Sequence, residues 1–190
     1  MKLPFPSVED ARRRVLELGA APLRPRRLQH DVVVDTADRR LLAAGTALRV
    51  RADGDRAYLT FKGPVTAGTV KAREEIETEA ASAAALLAIC DALGFRPAFR
   101  YEKYREEFTW PGVVIAVDDT PIGVFVEIEG DEAAIHALAA RLGFAPADYV
   151  TASYRSLFLA SALAKDGARD MVFAVAPVPP LPPDLPDSRP

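Results

Sequence analysis

Four pairs of like charge, each split by a single residue, carry most of the chemistry this chain offers: Arg49 and Arg51, Glu75 and Glu77, Lys103 and Arg105, Glu127 and Glu129. A β-strand repeats every second residue, so both members of each pair point to the same face of a sheet. Like charges about 4 Å apart repel by about 4 kcal/mol at an effective dielectric near 20, so repeated same-sign pairs call for something that neutralises them. Lys62 and Asp118 continue the same parity near the ends of neighbouring strands. Arginine forks and lysine ammoniums grip phosphate oxygens. Carboxylates hold hard divalent cations, Mg²⁺ or Mn²⁺, which commonly bridge protein to phosphate. Basic and acidic pairs lining one cavity therefore suit a polyphosphate and its metal. That holds if the sheet curls with this face inside; by pattern alone the more ordinary arrangement is an open antiparallel sheet whose charged face is simply solvated. Segregation of sign within every pair opposes it, because cross-strand surface pairs favour opposite charges.

The surrounding pattern supplies the elements that must position these pairs. Ser7 precedes Val8-Glu9-Asp10, and Val15 and Leu18 recur at helical spacing up to Gly19, which predicts an N-capped amphipathic helix. Strands are predicted over residues 27–36, around Val32-Val33-Val34, and 46–51, followed by a hairpin turn at Asp53-Gly54-Asp55. Residues 56–62 and 71–79 form the next pair, across a loop with Gly63-Pro64 and Gly68. A helix over 82–93 is capped by Ser82 and stopped by Gly94. Strands return over 101–109, 113–118 and 124–129, turned by Pro111-Gly112 and Asp119-Thr120-Pro121. Asp131 caps a helix over 132–142, and a shorter helix covers 151–163. Hairpins with a few interposed helices predict an antiparallel α+β domain. Leu48, Val50, Val126 and Ile128 then face away from the charges and lie under the helices.

With 49% apolar residues in 190, the chain can bury one substantial core. Its domain is expected over 1–163, and 164–190 reads as a tail, disordered or polyproline from Pro177 onward. A net charge of -3 argues against a nucleic-acid partner. No run of 18 apolar residues exists and residues 1–6 lack a signal core, so no membrane association and a cytoplasmic location are expected. Cys90, the one cysteine, excludes an internal disulfide and a cysteine zinc cluster and reads as a small buried hydrophobe. Walker, GxSxG and HExxH motifs are absent. His30 and His136 read as surface residues without metal-spaced partners, and Trp110 as packing at a turn.

An ordered set of stations closely resembles the CYTH superfamily, which includes class IV adenylate cyclases, thiamine triphosphatases and inorganic triphosphatases. The stations are Gln29-His30-Asp31 with Asp35-Thr36, Leu48-Arg49-Val50-Arg51, Leu59-Thr60-Phe61-Lys62-Gly63-Pro64, Arg73-Glu74-Glu75-Ile76-Glu77, Lys103-Tyr104-Arg105, Asp118, Val126-Glu127-Ile128-Glu129 and Ser153-Tyr154. The likeness covers about residues 1–160. It implies an eight-stranded antiparallel β-barrel tunnel with helices outside, its first strand truncated here, that takes a triphosphate and a divalent metal inside. By that resemblance Arg49, Arg51, Lys62, Arg73, Lys103 and Arg105 bind phosphate, and Glu75, Glu77, Asp118, Glu127 and Glu129 bind or orient Mg²⁺ or Mn²⁺. Lys2, Lys62 and Arg105 are expected at the reacting phosphoryl group. The implied substrate is ATP, thiamine triphosphate or tripolyphosphate, handled by cyclisation or hydrolysis; the rival is a module that binds polyphosphate or nucleotide without turnover.

The chain departs from this pattern at two places. The family's first strand carries Glu-x-Glu-x-Lys, and here only Lys2, followed by Leu3, stands in it. Two metal-site carboxylates are thus missing, for which an upstream start is the expected explanation and lost metal affinity the rival. Val33 stands where tripolyphosphatases of the family often place a tyrosine that works with the first-strand lysine on water. That departure counts against inorganic triphosphate hydrolysis more than against cyclisation.

Overall fold

The computed structural model describes residues 1–65 and 73–174. Eight strands form one antiparallel sheet: β1 (Lys2–Phe5), β2 (Ala21–Asp35), β3 (Ala47–Asp53), β4 (Arg56–Lys62), β5 (Glu75–Ala80), β6 (Arg96–Trp110), β7 (Val113–Thr120) and β8 (Gly123–Gly130). Their spatial order is β1-β8-β7-β6-β2-β3-β4-β5. The predicted strands all form, and β4 has the predicted bounds. β2 and β6 are longer than their pattern suggested, 15 residues each, because register shifts between Pro22 and Arg27 and beside Val34 let the ladder pass Pro22, Pro25 and Pro97. Prolines inside a run demote it when only sequence is read, and bulges are how a sheet tolerates them. The predicted strand start at 71–72, Gly68 and the proline-rich 177–190 lie outside the described residues.

Helix α1 (Val8–Glu17) begins where Ser7 Oγ accepts from the Asp10 amide, and α3 (Ala83–Ala92), counted after the short α2 (Arg40–Ala43), is capped likewise by Ser82. α2 is unheralded in the local sequence: the Asp35 carboxylate accepts the Leu41 and Leu42 amides, both at 3.0 Å. Asp131 caps α4 (Glu132–Arg141). The single helix predicted over 151–163 is two, α5 (Tyr154–Ala160) and α6 (Ala162–Lys165). Ser161 stands between them in extended conformation, and its hydroxyl accepts the Ala164 amide. A residue that satisfies the next helix's first turn by its side chain interrupts the preceding one.

The apolar face of the sheet packs beneath helices. α1 and α4 lie on β1, β7 and β8, burying Val15, Ile135 and Leu138 against Leu3, Ile115, Val126 and Ile128. α3 covers the other half through Leu86 and Cys90, against Val34, Val50 and Ala57. Each large apolar side chain so buried contributes about 1.5–3 kcal/mol. Burial raises the Cys90 thiol pKa, as for a small core hydrophobe.

The opposite face is also covered at one end. α5 brings Tyr154 and Phe158 onto Phe99 and Phe125, and Met171, fully buried, joins them. The Met171 backbone pairs with Arg100 and Glu102 at 3.0 and 2.8 Å, so chain beyond residue 163 takes part in packing. Strands β1 and β5 are the two edges of the sheet, and no ladder joins them among the described residues. The implied barrel is a sheet curled around its charged face, with no hydrogen-bonded closure among the described residues.

Candidate functional site

The curl encloses a cavity of about 900 Å³, with walls reaching from Lys2 on β1 to Glu75 and Glu77 on β5. All six residues expected to bind phosphate line it, as do Lys2, Val33, Glu127 and Glu129. The strand parity that groups them also puts Arg27, Gln29 and Asp31 of β2 on the same wall.

Three knots of charge organise the lining. Asp31 is fully buried opposite Arg51 in the β2–β3 register. It accepts from Arg51 Nε at 2.9 Å and Nη2 at 3.3 Å, and Arg49 Nε stands at 3.4 Å. Burial alone would raise its pKa; Arg51, Arg49 and Lys103 outweigh that, and the carboxyl is held below the usual range.

The second knot centres on Asp118, which has no exposed surface. Lys103 Nζ donates to it at 3.0 Å, Arg105 through Nε and Nη2 at 2.6 Å each, and the Tyr154 hydroxyl at 2.6 Å. Arg105 also donates to Glu127, which has Lys2 at 3.2 Å and Lys103 at 3.8 Å. Burial opposes the charge on Glu127, but Lys2, Arg105 and Lys103 hold its carboxyl well below the ordinary range. Lys103 fares differently. Burial and the neighbouring Arg105 press its ammonium down more than Asp118 and Glu127 support it, leaving a pKa of about 8. Burial, Asp118 and Glu127 raise the Tyr154 phenol, which therefore stays a donor.

The third knot lies toward the β5 edge. Lys62 donates to Glu75, Arg73 stands 3.6 Å from Glu75, and Glu77 accepts from Thr60 at 2.7 Å and Arg49 at 3.4 Å. Burial and Arg49 lower the Lys62 pKa despite Glu75.

The acids are distributed differently from the cations. Asp118 lies beneath Lys103, Arg105 and Tyr154 and does not line the cavity. Glu75 and Glu77 stand on β5, and Glu127 and Glu129 on β8, at opposite ends of the strand order from one another. Among the described residues no three potential metal ligands converge, and no hydrogen bond or ion pair engages the Glu129 side chain. Glu127 and Glu129, about 7 Å apart along one strand face, are the pair that would hold a Mg²⁺ of the kind that takes one or two protein carboxylates beside substrate phosphate. They do not fit an all-protein cage.

Asp31, Asp53, Glu107, Tyr101 and Tyr154 were given no role from sequence. The alternation Arg27, Gln29, Asp31 on β2 was a usable signal for Asp31; nothing local pointed Tyr154 at a residue 36 positions away. His30 is paired with Glu102 on the outer face at 2.9 Å, and His136 with Tyr149 at 3.2 Å. Trp110 packs at its turn under Arg141. No helix among the described residues is long and apolar enough to cross a membrane.

A curled antiparallel sheet with buried arginines and lysines beside carboxylates around one cavity defines a class of tunnel-shaped α+β domain. The CYTH domain model matches residues 2–154, and the chain belongs to that family. A Methanocaldococcus jannaschii protein named "putative adenylate cyclase" is 30% identical over 105 residues, 55% of this chain and 60% of that protein, so the match spans three fifths of its length. Among solved structures, a Pyrococcus horikoshii protein superposes with a TM-score of 0.71 at 23% identity, covering 82% of this chain and 96% of its own. A Vibrio parahaemolyticus protein named "putative adenylate cyclase" gives 0.71 at 20% identity, covering 83% and 95%. A Hippeastrum protein described as a "putative adenylyl cyclase" with a dominant triphosphatase activity gives 0.62 at 20%, covering 84% and 92%. At these identities the structural likeness establishes the fold.

Proposed function

We propose that this chain is a phosphotransfer enzyme acting on a triphosphate with Mg²⁺ or Mn²⁺, as a class IV adenylate cyclase-like or an organic triphosphatase-like protein. One observation carries the reading: six cations from separate parts of the chain, Arg49, Arg51, Lys62, Arg73, Lys103 and Arg105, line a single cavity. These cations are neutralised by carboxylates of the lining and of the layer beneath it. An entering triphosphate takes their place against the guanidiniums and ammoniums, Arg49 and Arg51 from β3 and Lys103 and Arg105 from β6, on either side of β2. Asp118, itself held by the Tyr154 hydroxyl, fixes Lys103 and Arg105 from below, so these donors meet developing charge with little reorganisation. Glu127, relieved of part of its cationic company, and Glu129 would hold the metal, which would supply charge neutralisation and a lowered pKa for the attacking oxygen. In the cyclase version the ribose 3′-hydroxyl attacks the α-phosphorus and pyrophosphate leaves; in the hydrolase version water attacks the terminal phosphorus. Lys2 and Arg105, both against Glu127, and Lys62, against Glu75, would stabilise the reacting phosphoryl oxygens. A cytoplasmic location suits a chain whose one cysteine is buried and unpaired.

Purified protein with either metal is to be offered ATP, thiamine triphosphate and tripolyphosphate, with products resolved by chromatography. Turnover lost in Glu127→Ala and Glu129→Ala, and triphosphate affinity lost in Arg49→Ala with Arg51→Ala, are expected. Unchanged affinity in the arginine variant would refute the site. A module that binds without turnover is the second reading, favoured by the absence of three converging metal ligands among the described residues; tight binding with no product from any of the three would select it.

A further inference from the structure

We infer that the cavity is built for a triphosphate whose organic head presents a hydrogen-bond donor, a hydroxyl or an amino group, to Gln29. The inference rests on the triphosphate reading above and narrows its substrate class.

Among the described residues, two buried side-chain polar atoms lack a hydrogen-bond partner: Arg49 Nε and Gln29 Oε1. Such orphans are uncommon, and each asks for an explanation. Both residues line the cavity, and the two atoms are of opposite kind. Arg49 Nε lies 3.4 Å from Asp31, within ion-pair range but without hydrogen-bond geometry. It is a donor, which a phosphate oxygen would complete. Gln29 Oε1 is an acceptor, and the oxygens of a metal-bound phosphate chain are acceptors too, so they leave it unsatisfied.

The Gln29 amide cannot simply turn over to hide this. Its Nε2 donates to Asp53 Oδ2 at 2.9 Å, and Asp53 also accepts from Arg27 at 2.6 and 3.1 Å. Asp53 is thereby an ionised, accept-only group. A flipped amide would set two acceptors against each other. With 1% of its surface exposed, Gln29 has its carbonyl oxygen left to offer a guest.

The two orphans ask for a guest that carries both kinds of group, acceptors for Arg49 and a donor for Gln29. A cavity of about 900 Å³ is also of the size that encloses a whole organic ligand.

Calorimetric titration of the full chain in Mg²⁺ at alkaline pH, where a bound phosphate chain carries no proton to donate, tests the assignment. The probes are ATP, its 2′-deoxy, 3′-deoxy and 6-deamino analogues, thiamine triphosphate and tripolyphosphate, each against wild type and Gln29→Leu. The variant is expected to bind the tighter organic triphosphate about ten-fold or more weakly while tripolyphosphate is little affected. If ATP is that ligand, one analogue should show the same loss on wild type and no further loss on the variant. Equal losses for organic and inorganic triphosphate, or ATP analogues that all bind wild type as a tightly bound ATP does, overturn the inference alone. Wild-type protein that binds no triphosphate overturns the parent reading and this one with it. Should the variant not fold, seen as lost tripolyphosphate binding, the wild-type probe series decides: tripolyphosphate bound more tightly than either organic triphosphate overturns the inference, and an organic preference supports it.

Discussion

Asp118→Asn separates two roles that sequence resemblance leaves merged. As a metal-orienting acid, Asp118 would matter chiefly when metal is bound. As placed here, it is the buried counter-charge of Lys103 and Arg105 and the acceptor of the Tyr154 hydroxyl. Asparagine keeps the shape and one acceptor, removes the charge, and turns an NH₂ toward the cations. Breaking a buried ion pair from one side costs about 3–5 kcal/mol, a large share of the roughly 5–15 kcal/mol that holds a domain together. For a chain of this size about 2–4 °C of Tm follows each kcal/mol, so a fall of about 6–20 °C is expected in thermal unfolding followed by circular dichroism without metal. Tripolyphosphate brings back negative charge beside Lys103 and Arg105, so it should raise the variant's Tm by more than the wild type's. A variant within about 2 °C of wild type without metal, or one whose loss emerges only when Mg²⁺ is added, would refute this reasoning.

The depressed ammonium of Lys103 predicts a pH signature. With a pKa of about 8 in the fold against 10.5 unperturbed, the unfolded chain holds more protons between those values, so this residue makes stability rise with pH across that window; Lys103→Met should flatten the rise in denaturant titrations. Triphosphate binding above pH 8 should also take up a proton, visible as a dependence of binding enthalpy on buffer ionisation. The depressed carboxyls of Asp31, Asp118 and Glu127 act at the other end. Their stabilisation is present above about pH 4, the unfolded value, and is lost as pH falls through their lower folded values, so acid unfolding should steepen below pH 4. Glu129→Gln, at a residue with no partner to lose, should leave the metal-free Tm unchanged and weaken Mg²⁺ binding to the triphosphate complex, measured by calorimetry. Gly130→Ala should destabilise strongly in thermal unfolding, because at φ +142° a Cβ would sit 2.3 Å from the Gly112 carbonyl oxygen.

Much of the fold is local and was therefore legible. Ser7, Ser82 and Asp131 announce three helices because a cap is a contact between residues three apart, and the Asp53-Gly54-Asp55 turn announces the β3–β4 hairpin. α2 was not legible, since the carboxylate that anchors it comes from Asp35, outside the helix. The break at Ser161 was lost in a run of apolar and small residues that reads as one helix.

For the site, sequence by itself determined which residues share a face: strand periodicity is backbone geometry, and it grouped Arg49 with Arg51 and Glu127 with Glu129 whatever the sheet did next. Tertiary structure decided that this face is inside. It also chose the partners: Arg51 with Asp31, 20 residues away, Lys103 with Asp118, 15 away, and Tyr154 with Asp118, 36 away. Each of these choices depends on register and curl between strands, which no local window contains. They made Asp118, an acid expected to bind or orient metal, the buried counter-charge of Lys103 and Arg105, and they left Gln29 Oε1 without a partner among the described residues.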